Sequence, residues 1–235
     1  MYEIKRVPTG IPGFDQLISG GIPSQSAVIV TGGPGVGKTT FSMQFLYNGL
    51  ALYNEPAVYV TLEENPSRLL LGCKQIGLDF TPFIDNGMFS VVSYAARDAT
   101  AQEIADATID AITSVEAKRC VIDSLNLLML IAGDESERSV RVKTINLMEK
   151  LRELGVTSFF THERHDLTFS SFDFVCDGLI HMQLIRDEAT FKTALRIVKM
   201  RYTPMDNRLV LYSVTPRGIK VYPDANIFSS DTIRV

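Results

Sequence analysis

Residues 32–39 read Gly-Gly-Pro-Gly-Val-Gly-Lys-Thr, and they stand between an apolar β-branched run, Ala27 to Thr31, and a stretch of helical period beginning at Lys38. Nothing else in the chain restricts its fold as tightly. A strand that turns through glycines into a helix presents several backbone N–H groups at the positive helix end, and such a cradle receives phosphate. The pattern G-x-x-x-x-G-K-[ST] between a strand and a helix is the phosphate-binding loop of nucleoside triphosphate-binding α/β proteins. Gly33, Pro34, Gly35, Val36 and Gly37 would line the phosphates together with Lys38, Thr39 and Thr40. Lys38 would reach the β- and γ-phosphates, and the Thr39 hydroxyl would ligate Mg²⁺.

The rest of the chain continues the alternation. Ala57 to Leu62, Phe89 to Tyr94, Cys120 to Asp123 and Val156 to Thr161 read as further buried strands. Helical stretches separate them. Lys38 to about Tyr53 carries Phe41, Phe45 and Leu52 inward, and Asn65-Pro66 supplies a cap and first-turn proline for a helix to about Ile76. Thr100 and Glu103 have capping-box spacing ahead of Ile104, Ile109, Ile112 and Val115. A helix from about Ser136 to Leu154 ends at Gly155. From Leu179 the pattern is strand only: 179–185, 191–202, 208–214 and 219–222. The expectation is an α/β fold whose mostly parallel central sheet, flanked by helices, carries a C-terminal antiparallel extension.

Length and composition set the remaining bounds. At 235 residues, with 46% hydrophobic and 21% charged, the chain is expected to form a single domain, 1–235, with one sizeable core. A formal charge of -4 provides no overall basic field for a polyanion. The apolar run Leu125 to Gly133 falls short of the ~20 residues that span a bilayer, and the opening residues have no apolar signal core, so a cytoplasmic location is expected. Cys73, Cys120 and Cys176 are odd in number and form no C-x-x-C pair, which fits reduced buried thiols better than disulfides or zinc.

Several polar residues fall where chemistry needs them. Asp123 ends an apolar strand and can hold Mg²⁺ beside the loop, although a strand-terminal Asp also caps turns. Glu63 and Glu64 follow a parallel strand and so emerge on the loop's edge of the sheet. They can orient and deprotonate a water aimed at the γ-phosphate, or they can merely favour the next helix's N-terminus. None of the nine lysines is followed two residues later by Asp, so the guanine-reading [NT]-K-x-D pattern is absent and ATP is favoured over GTP. His162 and His165 have no third ligand nearby, and His181 fits a core or edge position in a strand. Lys199 and Arg201 share one face of a late strand: a solvated face, or a pair of cations aimed at phosphate.

Taken in order, PTGIPGFDQLISGGIP, GGPGVGKTTFSMQFLYNG, TLEE, IDSL, THER, CDGLI and VKMR resemble a single KaiC-type domain of the RecA superfamily, nearly end to end. The resemblance implies an ATPase that assembles as a ring, usually of six, with ATP between neighbouring subunits. It implies that Glu63 and Glu64 are a catalytic pair and that Lys199 and Arg201 reach the neighbour's γ-phosphate. It also implies that Thr161 and Glu163 belong to a sensor segment. The sequence departs from the family's clock protein at Met205 and Asn207, where that protein has His and Lys. It departs again at Asp173 and Phe174, where the clock protein has its phosphorylated hydroxyl pair; Ser170 and Ser171 are out of register.

The function expected is an Mg²⁺-dependent, ATP-hydrolysing, ring-forming switch for an unidentified protein partner. Two rivals are a RecA-like nucleic-acid-binding accessory and a non-hydrolysing nucleotide-dependent scaffold. The segments 132–140 and 163–173, which would face a nucleic acid in such an assembly, are acidic or mixed in sign and offer a polyanion little net attraction. The intact glutamate pair argues against the scaffold.

Overall fold

A computed structural model describes residues 4–94, 100–131, 137–164, 166, 170–187 and 190–225. The chain starts with β1 (Arg6–Val7), a 3-10 turn at Asp15–Ile18 and β2 (Ile22–Pro23), which pairs antiparallel with β1. The alternating body follows: β3 (Ala27–Gly32), α1 (Lys38–Tyr53), β4 (Ala57–Thr61), α2 (Pro66–Gln75), α3 (Thr81–Asp85), β5 (Phe89–Ser93) and α4 (Ala101–Val115). It continues with β6 (Arg119–Asp123), α5 (Leu125–Ile131), α6 (Glu137–Glu153), β7 (Thr157–Glu163) and α7 (Ser171–Val175). The chain closes with β8 (Gly178–Asp187), β9 (Thr190–Met200), β10 (Leu209–Thr215) and β11 (Gly218–Tyr222).

Nine strands form one sheet in the order β11-β10-β9-β8-β3-β7-β6-β4-β5. The strands from β8 through β5 run parallel, whereas β9, β10 and β11 add antiparallel neighbours beyond β8. From β3 the chain first moves to one side, to β4, and it later returns to place β8 on the other side. Such a reversal opens a crevice outside the carboxyl ends of the strands, where open α/β sheets take ligands.

Alternation along each strand sorts the core into two layers. Val28 and Val30 of β3 pack with Phe41 and Phe45 of α1 and Leu69 of α2, while Ala27 and Ile29 face Ile104, Leu128 and Leu151 of α4, α5 and α6. The caps read from the sequence are present. Asn65 Oδ1 accepts from the Ser67 and Arg68 N–H groups, and Thr100 and Glu103 close their box. One inward assignment fails: Leu52 is 61% exposed, and Leu46 and Leu50 are buried in its place. Leu52 lies on the open flank of the last helical turn, beyond the reach of the sheet. The strand expected at Val156 to Thr161, β7, starts one residue later and runs on to Glu163.

Arg119, the first residue of β6, is fully buried. Its guanidinium donates to Glu55 Oε2 (2.7 Å), the Phe45 carbonyl (2.8 Å) and the Pro8 carbonyl (2.9 Å), and it lies 4.6 Å from the Phe45 ring centre. Four segments distant in sequence meet on this one side chain. Among the described residues no helix is long and apolar enough to cross a membrane.

Candidate functional site

The loop after β3 is shaped by what its neighbours leave room for. A Cβ on Gly32 would lie 2.1 Å from the Met182 carbonyl oxygen, so the backbones of β3 and β8 approach too closely for any side chain. Gly37, with φ of 87°, takes a left-handed conformation to start α1. Lys38 is the first helical residue, and its Nζ donates to the carbonyls of Gly32 (3.0 Å) and Gly33 (2.9 Å) and sits 3.8 Å from Glu163. Burial lowers the Lys38 pKa, while the charges of Glu163 and Asp123 act in the opposite sense. An ammonium held this way, on loop carbonyls and partly dehydrated, has a strong preference for a nearby anion.

Asp123 ends β6 next to the loop and gathers three hydroxyls. Thr39 donates to its Oδ2 at 2.8 Å, Tyr59 donates to the same oxygen at 2.9 Å, and Thr161 donates to Oδ1. Burial and the adjacent carboxylate raise the Tyr59 pKa well above its ordinary value, so the phenol remains a donor. Thr39 and Asp123 are thus a hydroxyl and a carboxylate in contact, the hard oxygen donors that suit Mg²⁺, an ion normally completed by phosphate and water. Among the described residues no group of three or more His, Cys, Asp or Glu converges to hold a metal by itself.

Glu63 and Glu64 leave β4 on the same edge. The Thr61 hydroxyl accepts from the Glu64 N–H (3.0 Å) and donates to the Glu64 carbonyl (3.1 Å), which fixes that turn. Burial, then the charges of Asp123 and Glu63, raise the Glu64 pKa, with Arg68 opposing. Both glutamates line a groove of about 800 Å³ together with Thr39 and Thr40. Leu69, Cys73, Ile76 and Val214 give the groove an apolar side, and burial raises the Cys73 pKa to about 12, leaving it an inert thiol.

Sequence reasoning missed two members of this edge. Tyr59 carried no signal beyond its strand position. Asn126 of α5 brackets the end of β7: its Oδ1 accepts from the Glu163 N–H (2.7 Å) and its Nδ2 donates to the Glu163 carbonyl (3.0 Å). Arg164 continues the line, its N–H on the Gly32 carbonyl (3.1 Å) and its Nε on Thr31 Oγ1 (2.8 Å). His162 and His181 flank Thr31 on adjacent strands, both buried, and neither Nδ1 has a partner. Burial and the Arg164 charge hold the His162 pKa down to about 4. His165 lies outside the described residues, as do 132–136 and 167–169, which include much of both segments weighed for nucleic-acid contact.

Lys199 and Arg201 are not beside the loop of their own chain. Met200 pairs with Gly178 and Gly178 with Val28, whereas the loop edge at Gly32 aligns with Met182 and through it with Leu195. The five residues from Leu195 to Met200 put the cations roughly 17 Å away, at the opposite edge of the sheet. Nor does the lack of acids between Phe191 and Pro204 leave them unpaired. Arg201 reaches Asp177 Oδ1 at 3.4 Å and the Phe174 carbonyl at 3.1 Å, and Lys199 Nζ donates to the carbonyls of Asp173 (2.9 Å), Phe174 (3.4 Å) and Cys176 (2.6 Å). The partners come from the crossover between β7 and β8, which strand composition alone does not reveal.

A strand–loop–helix phosphate cradle at the reversal point of a mostly parallel sheet, with an antiparallel extension, defines a RecA-like P-loop protein. A family model described as the ATPase KaiC matches residues 7–226. The chain belongs to this KaiC ATPase family. It is 34% identical to a UPF0273 protein of Pyrococcus horikoshii over 94% of this chain and 95% of that protein. It is 31% identical to the circadian clock oscillator protein KaiC of Thermosynechococcus vestitus, covering 94% of this chain and 45% of that protein. The crystal structure of a KaiC-like protein from Pyrococcus horikoshii superposes with a TM-score of 0.85 at 35% identity, covering 94% of this chain and all of that one.

Proposed function

We propose that this chain, as one KaiC-type domain, binds ATP with Mg²⁺ and hydrolyses it, and that it works in a ring as a nucleotide-dependent switch for a protein partner. The observation that carries the proposal is the groove that Thr39 shares with the two glutamates, with Thr39 also bonded to Asp123 at 2.8 Å and next in the chain to Lys38. These are the groups that phosphoryl transfer to water requires, since its catalysis is positioning and charge stabilisation.

On binding, Lys38 exchanges its contacts with the Gly32 and Gly33 carbonyls and Glu163 for phosphate oxygens. Thr39 and Asp123 would hold Mg²⁺, which supplies charge neutralisation across the β- and γ-phosphates. Glu64, whose pKa is raised by burial and the neighbouring carboxylates, accepts the proton of the attacking water, with Glu63 beside it to orient that water. The apolar side formed by Leu69, Ile76 and Val214 suits a nucleobase. Lys199 and Arg201 stand too far from their own loop to act there, and the family resemblance supports a part for them at the γ-phosphate of a neighbouring subunit.

Two variants separate binding from chemistry. Lys38→Ala should lose a fluorescent ATP analogue, and unchanged binding would overturn the loop assignment. Glu63→Gln with Glu64→Gln should keep the analogue bound while phosphate release falls on the order of a hundredfold. Release at the wild-type rate would reduce both glutamates to helix-end acids and favour the scaffold.

A further inference from the structure

A second concavity, of about 300 Å³, lies among α4, α5 and α6 and shares no residue with the groove beside the phosphate loop. It exists because of what α4 presents. Ala101, Ala105 and Ile109 recur at intervals of four on one flank of that helix, and two methyl groups leave a gap that larger side chains would fill. Leu128 of α5 and Leu147 of α6, both buried, close the floor. An apolar lining with a few polar groups is that of a small-molecule site, and the volume stands at the low end of the usual range.

One wall is cationic. Lys143 and Lys150 lie seven residues apart on α6 with Leu147 between them on the same face, so they border a strip of about 10 Å. Their long flexible stems can bring both ammonium groups to one head group. Ala101 and Gln102 add the first turn of α4, the positive end of that helix. The described lining contains no Asp or Glu. Just outside it, Asp106 accepts the Gln102 amide at 2.9 Å and Glu153 meets Lys150 at 3.1 Å. The latter side chains are 49% and 67% exposed, a surface pair that an arriving carboxylate can replace.

We propose that this cavity binds a small amphipathic monoanion, its carboxylate on the wall between Lys143 and Lys150 and its unbranched apolar chain against Ala105, Ile109 and Leu128. The occupant is a free small molecule. A strip two helical turns long falls well short of the ~800 Å² that each partner contributes to a standard protein interface. The site stands apart from the nucleotide reading, since none of its residues belongs to the phosphate-loop edge of the sheet.

The test titrates octanoate into the nucleotide-free full chain by calorimetry. Octanoate, about as long as the strip, should bind once per chain with a Kd of about 1 mM or tighter. Octan-1-ol and octylamine, which keep the chain and lose the anion, should bind at least about tenfold more weakly. Ala105→Phe, which puts a ring into the gap, should weaken octanoate at least about tenfold, and so should Lys143→Ala combined with Lys150→Ala. The lysine pair sits at partly exposed positions, so that variant decides the matter even if Ala105→Phe fails to fold. Absence of saturable binding, equal affinity for octan-1-ol, or unchanged affinity in a folded variant overturns the proposal. Binding of an acidic amphipathic peptide where octanoate does not bind would overturn it in favour of a protein partner.

Discussion

Arg201→Ala mixed with Lys38→Ala tests the separation of loop and cations most directly. Each variant should be inactive alone, the first about a thousandfold slower for want of an arginine supplied in trans, the second unable to hold ATP. Neither should unfold. Arg201 gives up a 3.4 Å approach to Asp177 and a 3.1 Å hydrogen bond to the Phe174 carbonyl, both from a side chain 41% exposed and each worth about 1 kcal/mol or less. Asp177 keeps Arg152 at 2.7 Å. A working site needs an intact loop from an Arg201→Ala chain and an intact arginine from a Lys38→Ala neighbour. With equal, random mixing that combination occurs at about one quarter of head-to-tail interfaces, so about a quarter of wild-type activity should return. The assay is steady-state phosphate release across a mixing series, with native mass spectrometry to confirm that mixed assemblies form. Activity that stays at zero in confirmed mixtures would refute the role in trans, and so would an Arg201→Ala protein that turns over at full speed.

Three further outcomes follow from the geometry. Tyr59→Phe removes a 2.9 Å hydrogen bond to Asp123 and should lower stability by about 1.5 kcal/mol in urea melts, with no change expected only if Asp123 is already satisfied without it. Gly49→Ala would place a Cβ 2.4 Å from Arg119 Cδ and Nε, and displacing that side chain should cost about 1–3 kcal/mol; a neutral result would mean that α1 shifts freely. His162 is neutral in the folded state down to about pH 4, whereas the unfolded chain protonates it near 6.5, so stability should fall as pH drops through that interval. Unfolding free energies at pH 7.5 and 5.5 should therefore fall further in wild type than in His162→Gln, and parallel losses would exclude His162 as the cause.

The sequence was most legible where one local pattern decides the structure. The loop at 32–39, the caps at Asn65 and Thr100 and the strand positions all rest on neighbours a few residues apart. The helices α3, α5 and α7 have 5, 7 and 5 residues, too short to establish a helical period. Contacts across the sheet were less accessible. Asp123 could be assigned as the strand-end acid, but Tyr59 and Asn126 join the site only through strand order and a helix that periodicity did not reveal. The same limit applied to Lys199 and Arg201. Lys199 lies in β9, but the strand ends at Met200, short of the expected end at 202, and leaves Arg201 in the turn beyond it; the partners on the β7–β8 crossover required the register of β8 against β9.

Arg119 has a consequence for how the chain folds. Its acceptors come from Pro8, Phe45 and Glu55, 64 to 111 positions away along the chain. A guanidinium enclosed with any of them missing bears an uncompensated desolvation penalty, so partial assembly gains little. The N-terminal segment, the middle of α1, the turn before β4 and the start of β6 are therefore bound into one cooperative unit. Since β6 ends at Asp123, loosening the first dozen residues would be felt at the opposite end of that strand, in the carboxylate beside the phosphate loop.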